Sequence, residues 1–91
     1  MKFKTRKLER IVKGFSNHRR IQIMGLLEDQ PELSVSEIAQ KTKIDFKNAS
    51  QHIRRIEIAG LVLKRNRKNN ILHKLSPRGS KILDFLKEFT E

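Results

Sequence analysis

The chain has 91 residues, 36% of them hydrophobic, and its 21 lysines and arginines outweigh 10 acids to give a formal net charge of +11. That length supports one small domain with a modest core and little room for a deep substrate cleft. The charge favours a polyanionic partner, nucleic acid before an anionic membrane, and the lack of cysteine excludes disulfides, thiolate metal sites and cysteine nucleophiles.

In chain order, Leu8, Ile11, Val12 and Phe15 recur at helical spacing between lysines and arginines, which predicts an amphipathic first helix over about 4–14. Gly14 weakens its end. Ser16 or Asn17 can cap a second helix through Ile21, Ile23, Met24, Leu26 and Leu27, and Pro31 ends it. That helix is apolar on more than one side and reads as the centre of the core. Ser34-Val35-Ser36-Glu37 fits a capping box, opening a short helix with Ile38 and Ala39 inward. Asp45 is the expected cap of a fourth helix, Phe46 to Ala59, whose core stripe is Ala49, Ile53 and Ile56. Phe46 is expected to pack on the core as a staple in preference to making a base contact, and Gly60 to terminate the helix in the left-handed conformation.

Residues 61–64 and 71–75 are β-compatible runs, and Arg65-Asn66-Arg67-Lys68-Asn69-Asn70 between them is rich in turn formers. Together they predict a two-stranded hairpin with a basic tip. Ser76 as cap and Pro77 at the first position open a last helix over about 77–89, with Ile82, Leu83, Phe85, Leu86 and Phe89 as its apolar stripe. The expected fold class is mostly α (α+β): a winged helix-turn-helix with four helices, a two-stranded β-hairpin wing and a C-terminal helix. Residues 1–91 form a single DNA-binding domain in this reading, with the helix-turn-helix at about 34–59 and the wing at about 61–76.

A short capped helix, a brief link and a second capped helix make a helix-turn-helix, whose second helix lies in the major groove. With Ala49, Ile53 and Ile56 inward, its outer face carries Lys47, Asn48, Ser50, Gln51, Arg54 and Arg55. Any amphipathic helix has a polar outer face, but this one has no acid between Lys47 and Arg55, and none follows from Ala59 to Leu83. Lys47, Asn48 and Gln51 are the candidates for base edges, because the N-terminal half of a recognition helix enters deepest. Ser50, His52, Arg54 and Arg55 are the candidates for phosphates, although packing accounts for His52 as well. On the wing the candidates are Lys64, Arg65, Arg67 and Lys68, with Arg67 suited to a minor groove. His18 and His73 read as structural or solvated, and Asp84 and Glu88 as solvated acids.

Several segments carry a family resemblance. The run from Asn17 to Leu27 resembles the core-helix signature of ArsR-like regulators, and Leu33 to Ala39 looks like their first helix-turn-helix element. Ala49-Ser50-Gln51-His52-Ile53-Arg54-Arg55-Ile56 with Ala59-Gly60-Leu61-Val62 looks like their recognition helix and its exit into the wing. Leu75-Ser76-Pro77-Arg78-Gly79 is more similar to MarR-like winged helices. The resemblance implies a prokaryotic, dimeric repressor or activator. His18 stands where the family usually has proline, and Phe46 where a polar residue is typical.

The terminal helices carry apolar side chains that one small core does not absorb, which predicts a homodimer built on Leu8, Ile11, Ile82, Phe85, Leu86 and Phe89. The reading is a sequence-specific double-stranded DNA-binding transcriptional regulator, cytoplasmic, with no cofactor, no metal, no membrane partner and no enzymatic activity. Met1 to Arg20 lacks the apolar segment of a secretory signal, no apolar run approaches the roughly 20 residues of a membrane span, and no catalytic constellation or Gly-rich phosphate loop is present. A winged-helix scaffold for protein–protein interaction and an RNA-binding protein are the alternatives. The first would not need an acid-free wing. The second is disfavoured by the lack of Tyr and Trp and by phenylalanines expected mostly at core positions.

Overall fold

The computed structural model describes residues 2–90. The elements follow the expected order: α1 (Thr5–Phe15), α2 (His18–Asp29), α3 (Val35–Thr42), α4 (Phe46–Ile58), β1 (Val62–Arg67), β2 (Asn70–Leu75) and α5 (Pro77–Lys87). Helix α2 is the hub and packs against every other helix and β2. Its Ile23, Met24 and Leu27 are buried with Ile38, Ala49, Ile53, Ile56, Leu61 and Leu83 in one core, which is why this helix had to be apolar on more than one side. No helix among the described residues is long and apolar enough to cross a membrane.

The helix starts explain themselves locally. Asn17, rather than Ser16, caps α2 by accepting from the Arg19 and Arg20 amides at 2.9 and 3.3 Å. Ser34 and Glu37 form the reciprocal capping box of α3, the Glu37 carboxylate accepting from the Ser34 amide at 2.9 Å and the serine hydroxyl accepting from the Glu37 amide at 3.2 Å. Ser76 caps α5 by accepting from the Gly79 amide at 3.0 Å. Asp45 departs from expectation. Its backbone is extended as a cap requires, but its side chain makes no capping hydrogen bond. The turn before it is fixed instead by Lys43 in the left-handed conformation, φ 59°, and by Ile44, which plugs into the core.

At the far end of α4, Gly60 has φ 76°. The Leu61 amide donates back to the Ile56 carbonyl at 2.9 Å and the Gly60 amide to the Glu57 carbonyl at 2.9 Å. This paired closure satisfies the last carbonyls and turns the chain sharply into the hairpin.

The hairpin is longer than its composition predicts. Arg65-Asn66-Arg67 and Asn70 were expected in a loop, yet they continue the antiparallel ladder up to the Arg67–Asn70 pair, leaving only Lys68 and Asn69 to turn. Lys68 takes a positive φ of 55° to close that turn. The inner edge is widened by Leu33, which exchanges both backbone hydrogen bonds with His73, at 2.8 and 3.1 Å. His73 is buried, and its Nδ1–H donates to the same Leu33 carbonyl at 3.1 Å, so it is structural. The segment before α3 is thereby stitched to the wing.

The phenylalanines do not fill the core. Phe3, Phe46, Phe85 and Phe89 are all exposed, and only Phe15 packs partly against the core. Phe46 is therefore no staple: its side chain is 58% exposed, because it precedes the first residue of the helix, Ala49, that reaches the core.

Candidate nucleic-acid interface

Helix α4 sets the site. With Ala49, Ile53 and Ile56 fully turned into the core, the 3.6-residue period places Lys47, Gln51 and Arg54 along the middle of the opposite face. All three are exposed, as are Asn48 and Arg55 beside them. Ser50 is half-buried on the flank shared with Glu57. The base-edge candidates Lys47, Asn48 and Gln51 thus stand together on the leading two turns.

His52 sits on the other flank, half-buried against α2. Arg20 Nη1 lies 3.4 Å from its Nδ1, and a guanidinium can only donate. The pairing therefore selects the neutral ring with its proton on Nε2. Burial first, then the charge of Arg20, holds the imidazole below its ordinary pKa. The unfolded chain binds that proton more readily than the folded one, so stability is full above about pH 6.5 and declines as pH falls below it. Thermal melts across that range should show the decline, and His52→Gln should remove part of it. Arg20 also donates to the Lys13 carbonyl at 3.1 Å, and Arg19 and Arg55 bring further positive charge toward the His52 ring. Sequence reasoning passed over Arg19 and Arg20, although an acid-free run from Arg10 to Leu27 carried the same signal used for the wing.

The four wing candidates fall into two groups. Lys64 is paired with Glu57 of α4 at 2.8 Å. Arg65 is held in a fork by Glu32, through Nε to one carboxylate oxygen and through Nη2 to the other at 3.0 Å. The fork, with Lys74 and Arg67 nearby, keeps the Glu32 carboxyl below its ordinary pKa. Arg67, Lys68 and Lys74 are exposed and have no carboxylate partner among the described residues. A phosphate at Arg65 must compete with the charge of Glu32 already on that guanidinium, whereas one at Arg67 displaces only water and counterions. Arg67→Ala is therefore expected to weaken duplex binding for all sequences and reduce the salt slope by about 1. Arg65→Ala should change both less. Anisotropy titrations at several salt concentrations read the difference.

The predicted dimer residues lie on another side. Leu8, Ile11, Val12, Phe15, Ile82 and Phe85 line one groove between α1 and α5. Ile11 and Ile82 are half-buried and also back the core, Leu86 is half-buried, and Leu8, Phe85 and Phe89 are exposed.

Residues 17–64 match the bacterial regulatory proteins of the arsR family, more than half of the chain. The protein belongs to the ArsR family. No curated protein sequence matches it. Among solved structures, the homodimeric winged helix-turn-helix DNA-binding domain Mb0332 of Mycobacterium bovis superposes with a TM-score of 0.84 at 25% identity, covering 96% of this chain and 84% of that one. HlyU of Vibrio cholerae superposes at 0.83 with 27% identity over 99% and 98%. NolR of Sinorhizobium fredii superposes at 0.85 over 94% and 86%, and at 24% identity it speaks for the fold alone. This ArsR-family member has the winged helix-turn-helix fold and is a DNA-binding transcriptional regulator, not an enzyme.

Proposed function

We propose that this regulator binds double-stranded DNA as a two-fold homodimer in the cytoplasm, with α4 in the major groove and the wing tip on the adjacent minor groove or backbone. Lys47, Asn48 and Gln51 read base edges. Ser50, His52, Arg54 and Arg55 hold phosphates, His52 through the Nε2–H that its pairing with Arg20 leaves free. Residues 1–91 act as one domain whose terminal helices, at about 4–14 and 77–89, carry the dimer contact.

The observation that carries the reading is the acid-free exposed face. From Lys47 to Arg55 and again along the hairpin tip, cations and amides face outward with no acid among them. Two such faces about 34 Å apart across a two-fold axis meet successive major grooves of a palindrome. For the dimer, the support is the apolar α1–α5 groove together with the homodimeric state of the Mycobacterium bovis domain. Control through a thiolate-bound metal is closed to a chain without cysteine.

The test is an anisotropy titration with duplex DNA, duplex RNA and single strands at several salt concentrations. Duplex DNA should bind tightest, weakening by about 0.9 log units per phosphate contacted for each decade of salt. Equal or stronger binding of RNA would overturn the reading in favour of an RNA-binding protein, and no binding to any of them in favour of a scaffold.

A further inference from the structure

Phe46 is out of place for a residue of its kind. It is the first residue of α4 and 58% exposed, with Lys47 and Asn48 exposed immediately after it. The other exposed large apolar side chains lie elsewhere: on α1 and α5 beside the apolar groove, at Phe89 just after α5, on the hairpin at Leu63 and Ile71, near the N-terminus at Phe3, and at Ile58, the last residue of α4. Side chains on a helix tilt toward its N-terminus, so the Phe46 ring projects at the leading end of α4, on the flank it shares with Ser50 and Glu57.

The immediate neighbour narrows what the ring meets. Asp45 is exposed and its carboxylate is not consumed by capping. A free carboxylate beside the ring repels phosphate, and a phenyl group offers phosphate no hydrogen bond. The phosphate backbone is thus a poor partner for the ring itself, and an apolar group on the groove floor a good one. In the major groove the apolar group displayed by base pairs is the C5-methyl of thymine.

We infer that Phe46 is a specificity-determining residue that reads a thymine methyl group in each half-site. This rests on α4 being the recognition helix, as proposed above.

The experiment begins with selection of a binding motif from random duplex DNA by the wild-type protein and by Phe46→Ala and Gln51→Ala variants. The wild-type motif should fix thymine at one position per half-site. Replacing that thymine with deoxyuridine, which removes only the methyl, should weaken wild-type binding about fourfold, the worth of one buried methyl. Phe46→Ala should lose the preference at that position and bind thymine and deoxyuridine equally. Its thermal melt should match the wild type, because the ring is exposed in the free protein. If Phe46→Ala keeps the same thymine preference and the same deoxyuridine sensitivity while Gln51→Ala alters the motif, the inference is wrong and the recognition helix stands. If neither variant alters the motif, α4 is not the reader and both fall.

Discussion

Phe85→Glu is expected to leave a folded monomer whose affinity for a palindromic site is reduced by about two orders of magnitude. Phe85 is 54% exposed in the protomer and rests edge-to-face on Phe89, ring centroids 5.2 Å apart. It lines the same groove as Leu8, Ile11, Val12 and Ile82, so a carboxylate there must be desolvated for a second copy to dock. The core of the protomer is untouched, because α5 anchors through buried Leu83 and Gly79. Joining two half-site readers multiplies affinity by roughly 10²–10⁴ without a new DNA contact, and separating them removes that factor. Sedimentation should show the monomer and circular dichroism an unchanged fold. Residual, salt-sensitive binding should persist, because α4 and the wing remain intact. A variant that stays dimeric would move the interface away from the α1–α5 groove.

What the sequence made legible follows from how far each signal reaches. Helix spacing is local, and Ala49, Ile53 and Ile56 on α4 or Leu83 on α5 landed inside as their period required. The Ser34–Glu37 capping box and the Ser76–Pro77 start are equally local and recur as bonds. The hairpin failed in its length because a ladder is made by backbone groups. Arg65, Asn66 and Arg67 pair as well as any residues once β2 lies alongside, and the turn at Lys68 and Asn69 carries no glycine to mark it. The Glu32–Arg65 fork joins residues 33 positions apart, a pairing no window of sequence can hold. It divides the wing cations that composition alone had grouped together. Asp45 and Phe46 failed for a different reason. Each is the residue type a helix start uses, but whether a carboxylate turns to the amides or a ring finds the core depends on neighbours from other elements.

Gly79→Ala tests how α5, the proposed dimer helix, is coupled to α4, the proposed reading helix. The chain from α4 into β1 passes directly beneath the start of α5, and three residues of the Ser76-Pro77-Arg78-Gly79 segment fasten the two. The Ser76 hydroxyl donates to the Gly60 carbonyl at 2.6 Å, and Arg78 Nη1 donates to the Ala59 carbonyl at 2.9 Å. The Ser76 amide donates to the Leu61 carbonyl at 3.0 Å. Gly79 lies against that same carbonyl so closely that an added Cβ would fall 2.1 Å from its oxygen and 3.1 Å from Leu75 Cδ2. The oxygen belongs to backbone already bonded at the exit of α4, so it cannot swing aside as a long side chain would. An alanine must push α5 off Leu61, loosening the Ser76 and Arg78 bonds with it. Overpacking of this kind costs about 3 kcal/mol, a large part of the stability of a domain this size. The expected fall in melting temperature is about 12–24 °C. The same displacement shifts α5, which carries the proposed dimer groove, relative to α4, which carries the proposed reading face, so the spacing of two half-site readers becomes less well defined. At a temperature where the variant is still folded, it should therefore lose discrimination between the selected palindrome and one with an altered spacer. Ile38→Ala, which opens a cavity at a fully buried residue of α3 away from the Ser76–Gly79 latch, should destabilise without that loss. If both variants discriminate spacers as the wild type does, the latch serves stability alone.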